Sequence, residues 1–261
     1  MNDIRTLVSG IPSVGMIFTD PPYNVAHQGK GKNTKLKIQN DDMTDAAFQE
    51  FIDKVFANYG QIAPASVMYC CYASITHTAF EMAIKANGYD VRNQIILVKK
   101  VASFGWGDYR WKHEPMFYCV PTGKKSNFYG DRKQYTVWEE EKTDEELLAI
   151  MKKMIEKDES GESTVWRFKR DQQYDHPTQK PVELIKKALT NSSKAGATVL
   201  DLFMGSGSTM IACEAMNRNA VGMEIEPHYC DVIVKRYVNV CRANNIPVEI
   251  LKNGKPCNDF N

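Results

Sequence analysis

The sequence predicts an α/β fold, a mostly parallel sheet with helices on both faces. Three observations carry that expectation. Apolar runs of strand length alternate with longer segments whose apolar residues recur every three or four positions, the pattern of strand-helix-strand units. One run, Thr198-Val199-Leu200-Asp201-Leu202-Phe203, passes through the tight turn Met204-Gly205-Ser206-Gly207-Ser208 into a helix from Thr209 to Met216. Another, Val14, Met16, Ile17 and Phe18, stops abruptly at Thr19-Asp20-Pro21-Pro22-Tyr23-Asn24. A strand ending in this way puts an acid at the carboxyl edge of a sheet, where open α/β folds keep their chemistry.

The 261 residues, 43% hydrophobic and 25% charged, can bury one full core, so one α/β domain with an insertion is expected. No apolar run approaches the ~20 residues needed to span a bilayer, and the N-terminus has no basic region followed by an apolar signal segment. A cytoplasmic protein without a membrane partner is expected. Seven cysteines include no C-x-x-C pair and read as reduced, buried fillers, so no metal is expected. A net charge of +1 gives no global attraction to nucleic acid, so any basic face is local.

The two prolines after Asp20 fix φ and remove two amide donors, which leaves stiff carbonyls free to accept hydrogen bonds. Rigid acceptors beside Tyr23 suit a planar ligand bearing an amino group; taken alone, the segment reads equally as a Pro-rich turn or a Pro-Pro-Tyr ligand for another domain. Residues 24–40, rich in Gly, Lys and Asn, read as a basic loop. Phe48, Phe51, Ile52, Val55, Phe56 and Tyr59 recur at helical spacing, with Thr44 placed to cap that helix. A strand over Val67 to Tyr72, a helix over Thr76 to Ala86 closed by Gly88, and a strand over Gln94 to Val98 follow.

From Lys99 to Trp138 the character changes. Lys99, Lys100, Arg110, Lys112, Lys124, Lys125, Arg132 and Lys133 interleave with Phe104, Trp106, Tyr109, Trp111, Phe128, Tyr129, Tyr135 and Trp138. Cations that meet phosphates alternate with rings that stack on bases, as a nucleic-acid face requires; a solvated loop region with aromatic anchors has the same composition. Thr143-x-x-Glu146 opens a helix bearing Leu147, Leu148, Met151, Met154 and Ile155, and Val165 to Phe168 reads as a short strand.

His176-Pro177-Thr178-Gln179-Lys180-Pro181 leads into an amphipathic helix, whose N-terminus beside Thr178 and Lys180 offers amide donors and a cation to a small anion such as a carboxylate. The glycines at 205 and 207 let the following turn bring backbone amides against a ligand. A strand over Ala220 to Ile225 places Glu224 19 positions after Gly205, the distance at which an acid accepts the hydroxyls of a ribose. A nicotinamide dinucleotide requires a third glycine at position 210, where this chain has Met210. A nucleoside without a pyrophosphate, such as S-adenosylmethionine, fits better. A last helix covers Pro227 to Val238, and the polar residues from Lys252 to Asn261 read as a frayed tail.

The order Asp20-Pro21-Pro22-Tyr23, basic aromatic insertion, His176-Pro177-Thr178-Gln179-Lys180-Pro181 and Asp201-Leu202-Phe203-Met204-Gly205-Ser206-Gly207-Ser208-Thr209 closely resembles the β class of amino-methyltransferases acting on DNA. In that class the catalytic motif precedes the target-recognition region and the cofactor motifs come last. The similarity covers nearly the whole chain. It implies a Rossmann-like S-adenosylmethionine-dependent methyltransferase divided into a catalytic half (1–98), a target-recognition insertion with connecting segments (99–175), a cofactor-binding half (176–251) and a tail (252–261).

By the resemblance, Asp20, the Pro21 carbonyl, Pro22 and Tyr23 form the catalytic motif that holds a flipped base. Phe203, Gly205, Ser206, Gly207, Ser208, Thr209 and Glu224 bind the cofactor with Asp201 close by, and Thr178 and Lys180 lie near its methionine end. His113-Glu114-Pro115 with Phe117 and Tyr118 corresponds to a further segment beside the base pocket. Lys124, Lys125, Arg132 and Lys133 are the expected phosphate contacts. The acid-first motif goes with adenine N6 and a serine-first one with cytosine N4, which makes cytosine the alternative base and a cofactor-free DNA-binding module the non-enzymatic alternative. So short a recognition region implies loose specificity or recognition shared across a homodimer. Members of the class also carry a strand ending in Gly-Asp ahead of the catalytic segment, whereas only about a dozen residues precede Val14 here. Either a sheet lacking that strand or a truncated or separately started catalytic domain is the corresponding expectation, and cofactor affinity is the property at stake.

Overall fold

A computed structural model of the chain describes residues 11, 13–25, 41–99, 111–139, 165–166, 179–252 and 255–256. Strand β1, Met16–Thr19, is buried along its whole length, as a parallel strand covered on both faces must be. Asn24, at a left-handed φ of +58°, is tied to Met43, just ahead of the next helix. Its Oδ1 accepts the Met43 amide at 2.6 Å, and its Nδ2 donates to the Met43 carbonyl at 3.0 Å. Helix α1, Asp45–Ile62, starts where expected: the Thr44 hydroxyl accepts from the Ala47 amide at 3.4 Å. Its apolar stripe, including Phe48, Ile52, Phe56 and Tyr59, is buried.

Strand β2, Val67–Cys71, leads through a 3₁₀ turn at Ser74–Thr76 into helix α2, His77–Ala86. Gly88, at φ +87°, takes the left-handed conformation that reverses the chain. Strand β3, Tyr89–Val98, begins earlier than its apolar half signals. Strand β4, His113–Pro121, lies within the span expected as the recognition insertion, yet it is a central strand of the main sheet. Its mixed residues and two prolines hide a strand whose residues from Pro115 onward are buried. Strands β5, Val137–Glu139, and β6, Val165–Trp166, follow. Then come helix α3, Val182–Ser192; strand β7, Thr198–Asp201; helix α4, Ser208–Ala215; strand β8, Asn219–Gly222; and helix α5, Pro227–Ala243.

Eight strands form one sheet in the order β6-β5-β3-β4-β2-β1-β7-β8. All pairings are parallel except those of β4, which is antiparallel to both β2 and β3. Helices α1 and α2 bury Phe48, Ile52, Phe56, Phe80 and Ile84 against one face. Helices α3 and α4 bury Leu184, Ala188, Leu189, Ala212 and Cys213 against the other. The helix after β1 and the helix after β7 therefore cover opposite faces, although the strands are paired neighbours, Met16 beside Val199 and Ile17 beside Leu200. Such a reversal opens a crevice at the carboxyl ends of both strands.

The chain beyond α5 departs from the frayed tail expected from its polarity. Leu251–Lys252 (β9) pairs antiparallel with Lys255–Pro256 (β10), and the hairpin-type dipeptide Asn253-Gly254 lies between them in sequence. The basic loop over 26–40, the helix expected over 143–155, Cys257, and His176 to Thr178 lie outside the described residues. The six described cysteines are free, five of them buried. No helix among the described residues is long and apolar enough to cross a membrane, and no group of three or more His, Cys, Asp or Glu side chains there is arranged to hold a metal ion.

Tyr59 ties the crevice together. Its buried hydroxyl donates to Thr19 Oγ1 at 2.8 Å and accepts the Leu202 amide at 3.2 Å, joining α1 to the carboxyl ends of β1 and β7. Tyr59→Phe keeps the ring but leaves that amide without its acceptor, so a loss of about 1–3 kcal/mol in urea unfolding is expected. An unchanged midpoint contradicts the role.

Candidate active site

Asp20 leaves the carboxyl end of β1 half-buried, with Pro21 buried behind it. Tyr23, three residues on, donates its hydroxyl to Asp20 Oδ1, and its ring meets Phe80 of α2 edge-on at 6.3 Å. Lys180, 160 positions away and 7% exposed, reaches the same acid: its Nζ donates to Asp20 Oδ2 at 2.7 Å and to the Tyr23 hydroxyl at 3.1 Å. Glu114 of β4 stands 3.5 Å from the same ammonium, and its other oxygen accepts from Lys99 Nζ at 2.8 Å.

Two carboxylates and two ammonium groups thus balance one another. Burial works against the charge on Lys180, but Asp20 and Glu114 hold its pKa well above the ordinary lysine value. Burial by itself raises the Glu114 carboxyl, yet Lys180 and Lys99 bring it down to about 2. Burial, reinforced by the Asp20 charge, keeps the Tyr23 phenol protonated far above its ordinary value.

The glycine turn leaves β7 directly beside this cluster. Gly205 and Gly207 have φ of +53° and +84°, values that side chains rarely adopt, and a Cβ at Gly207 would lie 3.1 Å from Ile233 of α5. Glu224 holds the turn: its Oε2 accepts the Gly205 amide at 2.8 Å and its Oε1 the Glu226 amide at 2.9 Å. Asp201 organises the inside, accepting the Phe203 amide at 3.0 Å and the Thr209 hydroxyl at 2.7 Å. The Ser206 hydroxyl donates to Gln179 Oε1 at 3.0 Å, and Arg236 of α5 donates to the Ser206 carbonyl at 2.7 Å. Phe203 is half-buried, its ring edge-on to Phe51 at 6.3 Å.

The crevice therefore gathers Asp20, Pro21, Pro22, Tyr23, Lys180, Asp201, Phe203, the turn from Gly205 to Thr209, and Glu224. Lys180 stands on the acid of β1, not only beside the turn where its sequence neighbours suggested a small anion. Sequence reasoning missed Tyr59, Lys99, Gln179 and Arg236 as members of the surroundings. Their spacing says only helix or loop, and their partners are remote in sequence. The basic set lies elsewhere. Lys124, Lys125 and Arg132, joined by Arg92, line a cavity of about 710 Å³ walled by Phe128 and Trp138 and containing no residue of the crevice, while Lys133 is exposed outside its lining.

A family model described as DNA methylase, N6_N4_Mtase, matches residues 14–235, the span from β1 into α5. The chain belongs to this DNA methylase family. The type II methyltransferase M.HinfI of Haemophilus influenzae is 29% identical to the methylase over 259 residues, covering 92% of this chain and 67% of the relative. The DNA adenine methyltransferase YhdJ of Escherichia coli (strain K12) is 26% identical over 255 residues, 90% of this chain and 83% of the relative. The crystal structure of the M1.HpyAVI–SAM complex superposes on the methylase with a TM-score of 0.59 at 25% identity, covering 89% of this chain and 94% of that one.

Burial, with smaller contributions from the Asp20 and Glu224 charges, pushes the Asp201 carboxyl of the methylase from 3.8 up to about 7. Since the folded value lies above the unfolded one, the stability linked to this proton is fully present below about pH 4 and is lost as pH rises through about 7. Asp201→Asn should remove a decline on the order of 2 kcal/mol between pH 5 and pH 8 in urea unfolding. A wild type and variant with parallel pH profiles would contradict the assignment.

Proposed function

We propose that this methylase transfers the methyl group of S-adenosylmethionine to the exocyclic N6 amine of a flipped adenine in DNA. The observation that carries the reading is the placement of Asp20-Pro21-Pro22-Tyr23 and the 204–208 glycine turn side by side, at the ends of the paired parallel strands β1 and β7. The names of the relatives agree with it, since one acts on DNA adenine and a structural neighbour carries SAM.

The residues present suit this cofactor. The Ser208 hydroxyl at the start of α4 is buried with no hydrogen-bond partner among the described residues, and the left-handed glycines keep the turn's backbone open to close approach. Glu224 accepts the Gly205 and Glu226 amides on different oxygens, and a carboxylate has about four acceptor sites, which leaves room for a ribose hydroxyl. Phe203, Asp201 and the turn from Gly205 to Thr209 would hold the nucleoside. Bound there, the cofactor supplies an electrophilic methyl carbon.

The chain's own task is to make a poor nucleophile reactive. The lone pair of an exocyclic amine is delocalised into the ring. Asp20 and the Pro21 carbonyl, by accepting its two N–H bonds, draw the nitrogen toward tetrahedral geometry and localise that pair. Positive charge that builds on nitrogen then faces a carboxylate already in place. Asp20 is also the first acceptor for the proton that the methylated nitrogen sheds. Tyr23 offers a face for stacking, because an amino group inside the duplex cannot reach the crevice. The cavity bearing Lys124, Lys125 and Arg132 takes the phosphate backbone, with Lys133 beside it, and the recognition function falls on the insertion outside β4.

Asp20→Ala should abolish methylation of plasmid DNA in a host lacking other methyltransferases, read by nucleoside mass spectrometry as loss of N6-methyladenine. The purified variant should bind S-adenosylmethionine calorimetrically as the wild type does. Persistent methylation, or N4-methylcytosine in the wild-type product, contradicts the proposal. Reversing the charges of Lys124, Lys125, Arg132 and Lys133 should weaken DNA binding and flatten its salt dependence by about 0.9 in logarithmic slope for each phosphate no longer neutralised. An unchanged slope removes these residues from the DNA face.

A further inference from the structure

The cation on Asp20 has no place in the chemistry above. An amine that is to be held by this carboxylate meets both oxygens already engaged, Oδ1 by the Tyr23 hydroxyl and Oδ2 by Lys180 at 2.7 Å. Lys180 has three N–H donors, and three acceptors surround it: Asp20 Oδ2, the Tyr23 hydroxyl at 3.1 Å and Glu114 Oε2 at 3.5 Å. At 7% exposure the ammonium is too buried to be left without a partner. Glu114 is itself held in place by Lys99 at 2.8 Å and is anchored on a central strand. Only a small displacement separates the pairing of Lys180 with Asp20 from a closer pairing with Glu114.

We propose that Lys180 is a positioning residue that occupies the place of the target amine on Asp20 in the free enzyme, and that it hands Asp20 to the incoming amine by moving onto Glu114. This rests on the reading of Asp20 as the amine-holding acid. The donor that Lys180 presents to Oδ2 stands in for an amine N–H, so the carboxylate and Tyr23 keep their working arrangement before DNA arrives. Glu114 receives the ammonium as the base enters, so no buried charge is stranded during the exchange. Without Glu114 the lysine stays on Asp20 and competes with the amine; without Lys180, Glu114 has nothing to receive.

The test is a double-mutant cycle on the purified full-length chain, with labelled S-adenosylmethionine and plasmid DNA that the wild type methylates. Glu114→Gln should lower kcat about tenfold, Lys180→Met should lower it at least as much, and adding Glu114→Gln to Lys180→Met should cost less than about twofold more. Calorimetric affinity for S-adenosylmethionine should be the same in all four proteins. Additive losses overturn the proposal, and so does weakened cofactor binding in Lys180→Met, which would assign the ammonium to the cofactor's carboxylate. Thermal melting reports folding. If Lys180→Met does not fold, Lys180→Arg takes its corner of the cycle, and additive losses there overturn the proposal equally. Methylation by Asp20→Ala defeats the amine-holding reading itself, whereas additivity in an enzyme that Asp20→Ala inactivates defeats only the handover.

Discussion

The parallel pairing of β1 with β7 is the constraint on which the site depends. Their register sets Ile17 beside Leu200, so the segments that leave the two strands, Asp20-Pro21-Pro22-Tyr23 and Met204-Gly205-Ser206-Gly207, emerge side by side. Because the helices that follow cover opposite faces, they part at that edge, and the crevice is a consequence of topology. Tyr59 fastens the two strand ends with one hydroxyl, which ties the placement of the acid to the placement of the turn.

Within this frame the electrostatics are divided. On the β7 side the carboxylates are used structurally: Glu224 and Asp201 accept backbone amides and a hydroxyl, and burial raises both pKa values. On the β1 side two carboxylates share two lysines in a largely buried place. A buried network of this kind contributes little net stability for its desolvation cost, but it fixes geometry. Geometry is what an acid that must meet a planar amine requires.

The two motifs were legible because their chemistry is local. An apolar run that ends in an acid and two prolines, or one that turns through Gly205 and Gly207 into a helix, has only a few backbone solutions. Helix α1 was legible for the same kind of reason, with Thr44 capping an apolar stripe. Strand β4 was not. His113–Pro121 mixes charge, rings and two prolines, and its strand character comes from lying between β2 and β3.

The sequence by itself determined the alternation of strands and helices, the acid at the end of β1, the glycine turn after β7, and the family to which their order belongs. The first three follow from backbone propensity and spacing within a dozen residues or so, and the family follows from the order of the motifs along the chain, which is a property of the sequence alone. Only the tertiary structure decided that Lys180 stands on Asp20 across 160 positions, that Glu114 from an antiparallel central strand shares that lysine, and that three of the four expected phosphate-binding cations line a separate cavity. Charges attract at short range in space whatever their separation along the chain, so pairings of this kind leave no periodicity or motif to read.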